Sequence, residues 1–172
     1  MNKCIVFLFS LFVLVSITGC SSDDEQNNNQ SKIQGIWKLS AWNVEDGFDM
    51  NFDSVVSTNL LNEIDCTQNE TLLFDADGIV SSNNTFNPDI EIVLINEATQ
   101  EYSFSIECDT EGVIGFATLY SVKGNNVLFG ENNAILDGNQ ISILFENSIE
   151  IWNNDLTQIV ATKDLTMVYI KQ

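Results

Sequence analysis

Apolar and polar residues alternate along much of this chain, in short segments that are separated by tight turns. The alternation is clearest in residues 102–108 (YSFSIEC) and 165–170 (LTMVYI). A period of two places one face of a strand in a core and the other in water. Gly and Asn in segments 76–78, 123–125 and 137–139 suit the positive φ of tight turns. The pattern predicts an all-β antiparallel sandwich or barrel, and the barrel is favoured because closure removes exposed edges.

The remaining apolar segments give further strands and one exception. Strands are predicted at 36–44, 70–75, 78–82, 89–96, 113–122, 126–130, 140–146, 150–152 and 156–161. Residues 56–64 (VSTNLLNEI) instead place four aliphatic side chains at helical spacing. This spacing predicts a short helix near residues 58–64, capped by Ser57 or Thr58 and lying over one end of the barrel.

The N-terminus has the features of a secretion signal. A basic start is followed by a mostly apolar run at residues 4–17, which is too short to cross a bilayer comfortably. The run ends in Ile17-Thr18-Gly19-Cys20, which resembles the lipobox of bacterial lipoproteins. The resemblance implies that residues 1–19 are removed as a signal peptide and that Cys20 is lipidated and anchors the chain to a membrane. A plain secretory signal with an incidental Cys is the alternative.

The segment after the signal predicts a tether. Residues 21–31 contain no apolar side chain, so residues 20–32 are interpreted as the lipidated Cys with a flexible acidic and Asn-rich tether, and 33–172 as the folded domain. Residues 23–25 (DDE) resemble the acidic export tag of lipoproteins that some Gram-negative bacteria display on their surface; a solvated linker is the alternative. An outer-membrane location is expected, with the periplasmic or the surface-facing side left open.

Composition excludes several classes of function. The chain has 25 acidic residues, six Lys, no Arg and no His, and its net charge is −19. Such a surface repels nucleic acids and anionic lipid heads. Without His, the Ser-His-Asp and Cys-His sites are excluded, as are His-ligated zinc centres. The carboxylate pairs Asp75/Asp77 and Asp109/Glu111 flank turns, where turn formation is favoured over glycoside hydrolysis. We therefore expect no enzyme activity.

Two smaller patterns concern cysteines and a polar loop. Cys66 and Cys108 remain after signal removal and lipidation, and a disulfide is predicted because the compartment is oxidising. Asp49, Asn51 and Asp53 are spaced like the first three ligands of an EF-hand loop, which makes Ca²⁺ the one cofactor hypothesis. A polar loop of Asx turns is the alternative. The adjacent Ser54, within Asp-Ser-Val, also resembles an O-glycosylation acceptor of some Gram-negative envelopes.

Four motifs in order along the chain carry a wider resemblance. They are GIWKL (35–39), LFDADG (73–78), YSVKGN (120–125) and LTMVYIK (165–171). Over residues 33–171 the chain resembles the lipocalin-like domains of bacterial lipoproteins. In lipocalins a G-x-W motif opens the first strand, and its Trp packs across the barrel floor beside an Arg; this chain has no Arg. The resemblance implies an up-and-down β-barrel with a central cavity and no shared catalytic set.

These observations lead to two function hypotheses. The first is a non-enzymatic envelope lipoprotein that binds a small apolar or amphipathic ligand; the candidate cavity residues are Trp37, Phe74, Tyr102, Phe104 and Tyr169. The second is an envelope protein–protein interaction module or accessory subunit with a solid core. An internal cavity of several hundred cubic ångströms favours the first hypothesis, and a filled interior with an exposed apolar patch favours the second.

Overall fold

The computed structural model describes residues 31–108 and 115–172 of the chain. Within these residues the chain forms eleven strands and one 3-10 turn, and residues 31–33 are helical. The strands are β1 (Gly35–Phe48), β2 (Ser57–Asn59), β3 (Thr71–Phe74), β4 (Ile79–Asn83), β5 (Asp89–Asn96), β6 (Glu101–Glu107), β7 (Ala117–Lys123), β8 (Asn126–Phe129), β9 (Asn132–Asp137), β10 (Gln140–Asn153) and β11 (Ile159–Lys171).

Eight of these strands close into a barrel. The strands β1, β3, β4, β7, β8, β9, β10 and β11 follow one another around the ring, and each pairs antiparallel with the next of these eight. The last strand returns to the first, where Lys171 pairs with Trp37. The predicted all-β, up-and-down barrel is confirmed. Buried and exposed residues alternate along the strands because one face of each strand fills the barrel interior.

Several strand boundaries differ from the predictions, and bulges explain part of the difference. The segments predicted at 140–146 and 150–152 belong to the single strand β10, whose ladder with β11 is irregular between Phe145 and Ile149. A bulge interrupts the period of two and imitates a strand end. The strand β9 was not predicted, because its polar start at Asn132-Asn133 reads as a turn.

The predicted helix at 58–64 is corrected to a shorter and tighter element. Strand β2 is followed by one 3-10 turn, Leu60–Asn62. The cap is Asn59, whose side chain accepts a hydrogen bond from the Leu61 amide at 3.2 Å, rather than Ser57 or Thr58. A single turn is sufficient here because it buries the adjacent Leu60 and Leu61 together.

Trp37 fills the barrel end at which β1 begins. Its side chain is fully buried, and its Nε1 donates a hydrogen bond to the Ile33 carbonyl at 2.7 Å. The Lys171 ammonium lies 5.4 Å from the centroid of the Trp37 ring and donates a hydrogen bond to the Lys32 carbonyl. The Lys171 ammonium is thus within cation–π distance of the Trp37 ring. This end of the barrel is closed.

A hairpin of β5 and β6 extends the sheet beyond the barrel ring. Strand β5 pairs parallel with the end of β10, where Ile92 lies opposite Ile151. The predicted bond between Cys66 and Cys108 is confirmed by a bonded sulfur pair with a Cα–Cα distance of 5.6 Å. It links the segment after the 3-10 turn to the residue that follows β6.

Candidate functional site

A bulge in β1 determines which side chains of its second half point into the barrel. Before the bulge Trp37 and Leu39 are buried, and after it Trp42 and Val44 are buried. The register of β1 against β11 shifts between Leu39 and Ala41, so that the inward face moves by one residue. Without this shift the indole of Trp42 would point to the outside of the barrel.

The cap of the 3-10 turn holds the strand just after the bulge. The Asn59 Oδ1 atom accepts a hydrogen bond from the Trp42 amide at 2.9 Å and another from the Leu61 amide. The Trp42 ring packs edge-on against Phe86, with a centroid distance of 4.9 Å. Trp42 is 8% exposed, and its Nε1 has no hydrogen-bond partner among the described residues. The Nε1 atom itself is inaccessible, so this N–H is a buried, unpaired donor of a kind that is rare in folded proteins.

A cavity of about 290 Å³ lies inside the barrel next to Trp42; it is called the barrel cavity below. Six barrel strands contribute to its wall. The inward-facing residues that line it include Trp42, Leu72, Phe129, Ile143, Met167 and Tyr169. Its volume is near the lower end of the range of roughly 300–1,000 Å³ for small-molecule sites, and its wall is mostly apolar and aromatic as such sites require.

One carboxyl group lies in the wall of the barrel cavity. Glu70 is 3% exposed, accepts a hydrogen bond from the Tyr169 hydroxyl, and accepts a second from the Phe86 amide at 2.8 Å. Burial raises the pKa of Glu70 above its ordinary value, and the two hydrogen bonds oppose that shift. Burial, with the nearby Glu70, also raises the pKa of Tyr169, which therefore keeps its proton and remains a donor.

A second, larger cleft of about 580 Å³ adjoins the barrel cavity and is called the outer cleft. Both spaces are lined by Trp42, Phe145 and Met167. The remaining wall of the outer cleft comes from the start of β5 and the second half of β10, and it includes Asp89, Glu91, Glu150 and Trp152. The lining of the outer cleft is thus more acidic than that of the barrel cavity beside it.

The predicted cavity residues are distributed over three regions. Tyr169 lines the barrel cavity, as expected. Trp37 and Phe74 are instead packed at the closed end, where 1% or less of either side chain is exposed. Tyr102 and Phe104 lie on the β5–β6 hairpin and face Phe48 across a separate groove of about 550 Å³. The alternation along β6 matches a half-buried face and an exposed face, but the half-buried face packs against the end of β1 rather than inside the ring.

The predicted calcium loop is organised by its own hydrogen bonds. The Asp49 carboxylate accepts hydrogen bonds from the Asp53 amide and from the amide of Ser54, each at 3.0 Å. Asn51 accepts from the Asp53 amide at 2.9 Å, and the Glu63 carboxylate reaches the loop amides from the other side. In the described residues no group of three His, Cys, Asp or Glu side chains is arranged for a metal. Calcium binding and glycosylation of the exposed Ser54 stay predictions.

The carboxylate pair at the β3–β4 turn also has an internal role. One oxygen of Asp75 accepts hydrogen bonds from the Asp77 amide at 2.9 Å and from the Ile79 amide at 2.8 Å. This is the turn-forming arrangement of an Asx motif. The other pair, Asp109 and Glu111, lies outside the described residues, as do the signal, most of the tether and Cys20.

Comparisons with protein families, with curated proteins and with solved structures gave no match to this chain. In residues 31–108 and 115–172, no helix has the length and apolar character needed to cross a membrane. The function is therefore inferred from the cavity, the cleft and the sequence motifs.

Proposed function

We propose that this chain is an envelope lipoprotein whose barrel binds a small apolar or amphipathic molecule without catalysing a reaction. The observation that carries the proposal is the barrel cavity of about 290 Å³ beside the unpaired Trp42 indole. A space with an apolar wall and few polar groups binds by burying apolar ligand surface, at about 25 cal/mol per Å². The absence of His and Arg from the sequence supports the non-enzymatic part.

The location of the barrel is the second part of the proposal. The Ile17-Thr18-Gly19-Cys20 motif supports lipidation at Cys20 and retention at the outer membrane. A tether of about a dozen residues then separates the anchor from the first strand, at up to roughly 3.5 Å per residue. A binding barrel held at a membrane samples molecules that enter or leave that membrane.

A neutral fluorescent probe tests the cavity assignment. Phenylnaphthylamine becomes brighter in an apolar site, and we expect a saturable increase with one probe per chain. Ile143 is 4% exposed and lines the barrel cavity, whereas the next residue, Leu144, is 53% exposed on the outer face. The I143F variant fills the cavity and should lose most of the signal, and L144F is the matched control that should keep it. Equal titration curves for the two variants at equal thermal stability would exclude the barrel cavity as the site.

An outer apolar surface favours the second candidate, a protein interaction module. Two cross-strand pairs on the outer face of the barrel are exposed: Ile36 with Leu73, and Ile79 with Leu119, which is 73% exposed. Exposed apolar patches commonly mark protein contacts. If the chain is a protein interaction module, a protein that copurifies with the wild type from detergent-extracted membranes should not copurify with the L119K variant. Binding of phenylnaphthylamine would remain. If the chain only binds a small ligand, L119K would change neither the copurifying proteins nor the binding of phenylnaphthylamine.

A further inference from the structure

Strand β6 is the free edge of the sheet. Among the described residues its main chain pairs with β5 alone, and it is the last strand in the sheet order. The outward N–H and C=O groups of an edge strand can pair with another extended chain. Native edges are commonly protected by Lys, by Pro or by a bulge, and the stretch of β6 from Tyr102 to Glu107 has none of them. This edge is therefore open to the addition of a strand.

The groove of about 550 Å³ beside this edge is mostly apolar, and it is called the edge groove below. Strand β6 lines it through Tyr102 and Phe104, whereas no residue of β5 does so. Its other lining residues include Phe52 and Val56, which are 70% and 63% exposed. The ring centroids of Phe52 and Phe104 are 6.0 Å apart. Since alternate side chains of a strand point to one face, a strand added to β6 directs every second side chain toward this groove. The edge groove favours apolar side chains at those positions.

The other face of the β5–β6 hairpin carries an unfavourable pair of charges. Asp89 lies directly opposite Glu107 in the ladder, and both side chains are exposed. Like charges at opposite positions of a ladder repel each other. The salt bridge of Lys163 is made with Asp46 in the edge groove, and within the described part of the chain neither Asp89 nor Glu107 is paired with a cation. Basic side chains of an added strand, placed beside Glu107 and Glu101, would offset this repulsion.

We propose that β6 is a docking edge for an extended segment of another protein, which adds to the sheet as one further strand. The inward side chains of this segment are apolar and fill the edge groove, and its outward side chains are basic beside Glu101 and Glu107. The open main chain of β6 provides the pairing, while the groove and the carboxylates select the sequence. This surface lies outside the barrel interior, so the inference goes beyond the proposed ligand binding and does not depend on it.

A short peptide with this pattern is the first probe. The sequence Lys-Val-Thr-Val-Thr-Val-Lys, with both ends capped, reads the same in both directions and therefore matches β6 in either orientation. We expect saturable binding of one labelled peptide per chain, measured by fluorescence anisotropy on the full-length protein in detergent. Replacement of both Lys by Glu should weaken binding about tenfold at low salt, and added salt should reduce the difference. Absence of binding, or equal affinities for the two peptides, would overturn the inference.

Methylation of the peptide main chain tests the strand pairing itself. The N–H groups of successive residues in a strand point to opposite sides, so methyl groups on two Val amides or on the two Thr amides block opposite edges of the peptide. We expect one of these isomers to bind like the unmodified peptide and the other to bind about tenfold more weakly or worse. Equal affinities of the two isomers would mean that the peptide does not pair with β6 as a strand.

Two adjacent valines test the contribution of the edge groove. Val56 lines the groove, whereas Val55 does not, and their side chains are 63% and 62% exposed. The V56S variant should weaken peptide binding about threefold because it removes apolar contact area, and V55S is the matched control that should keep the wild-type affinity. Equal affinities of the two variants would exclude the edge groove from the docking surface.

Charge-matched variants separate a local effect from the overall negative charge of the chain. The double variant E101Q and E107Q should lose most of the preference for the Lys peptide over the Glu peptide. The control double variant, E131Q and E146Q, removes the same charge from exposed positions outside the β5–β6 hairpin and should keep the preference. If both double variants lose the preference equally, the overall charge explains it and the selection of a basic segment by β6 is wrong.

A second copy of this chain is the other candidate occupant of the edge. Antiparallel pairing of two β6 strands over their whole length places Glu101 of one copy beside Glu107 of the other, which is unfavourable. We therefore expect the wild-type chain to sediment as a monomer at the concentrations used for peptide binding. A dimer that the peptide dissociates would assign the edge to a second copy and overturn the inference. Phenylnaphthylamine binding should be unchanged by saturating peptide, so failure of the docking edge and failure of the proposed ligand binding are measured separately.

Discussion

Glu70 illustrates at the scale of a single residue how the barrel carries a polar group in an apolar wall. Its two carboxylate oxygens accept hydrogen bonds from the Tyr169 hydroxyl and the Phe86 amide. Its own backbone carbonyl accepts from the Leu39 amide at 3.0 Å. The carboxyl group therefore connects β11 with the segment after β4, and the backbone carbonyl of the same residue adds a link to β1. Buried polar groups are tolerated when they are paired in this way.

Removing the Tyr169 hydroxyl should destabilise the protein measurably. The Y169F variant leaves one buried oxygen of Glu70 without its donor, and we expect a loss of about 1–3 kcal/mol in unfolding free energy near neutral pH. The Tyr102 hydroxyl bonds only the exposed Gln100 side chain among the described residues, so Y102F is the matched control with a change of about 0.5 kcal/mol or less. Urea unfolding compares the two variants, and equal losses would refute a special role for the Glu70–Tyr169 pair.

The raised pKa of Glu70 predicts the direction of a pH dependence. Burial makes the folded-state pKa higher than the unfolded-state value of about 4.3, so the folded state binds the proton more tightly. This contribution to stability is fully present below the unfolded-state pKa, and it is lost as pH rises through the folded-state pKa. Relative to the E70Q variant, the wild type should therefore become less stable from about pH 4 upward. A difference that stays constant or grows with pH would contradict the assignment.

At the scale of elements, the bulge in β1 and the 3-10 turn form one unit. Asn59 caps the turn and also holds the Trp42 amide, so the turn stabilises the strand at the point where its inward face shifts. The shift brings Trp42 into the interior. The cap of the 3-10 turn therefore helps to hold Trp42, a residue of β1 that lines the barrel cavity.

Substitution of the cap tests this connection. The N59A variant removes an acceptor for two amides, and we expect a loss of about 1–2 kcal/mol in unfolding free energy and a weaker phenylnaphthylamine signal. Asn62 lies in the same turn and bonds the Ser57 hydroxyl through an exposed side chain, so N62A is the matched control with little effect on either measurement. Loss of stability without any change in probe binding would mean that Asn59 does not position the cavity wall.

The elements were predictable from sequence to different extents, for physical reasons. The alternation in residues 102–108 and 165–170 gave strands correctly because their burial follows the period of two. Trp42 was missed as a cavity residue because the bulge depends on the register against β11, which lies more than a hundred residues away. The assignment of Tyr102 and Phe104 failed for a related reason: periodicity shows that a face is buried, but it does not show what covers it.

At the scale of the whole molecule, the barrel combines a filled end with an open one. Trp37, Phe74 and Ile141 occupy the closed end, and each is almost fully buried. Toward the other end the interior becomes the barrel cavity and then the outer cleft. Closure into a barrel was predictable from patterning, but the number of strands in the ring and the division of the interior were not, because they depend on strand pairing and on the summed side-chain volumes of all strands.

The proposed membrane anchor makes a prediction about the full-length chain in a Gram-negative host. Metabolic labelling with palmitate should mark the wild-type protein, and C20S should remove the label because acylation requires the thiol of Cys20. The control C66S changes a cysteine of the disulfide and should keep the label. A label that persists in C20S, or a wild-type chain without label in the soluble fraction, would contradict the anchor.

The most direct measurement of the central claim is an NMR titration of the indole N–H signals with phenylnaphthylamine. Trp37 and Trp42 report on the two ends of the barrel: the Trp37 N–H is bonded to the Ile33 carbonyl at the closed end, and Trp42 lines the barrel cavity. The chain has three Trp, so W42F assigns the Trp42 signal and W152F assigns the Trp152 signal, which leaves the third signal to Trp37. We predict that the Trp42 signal shifts in a saturable manner while the Trp37 signal stays in place. A Trp42 signal that does not move at saturating probe would contradict ligand binding inside the barrel.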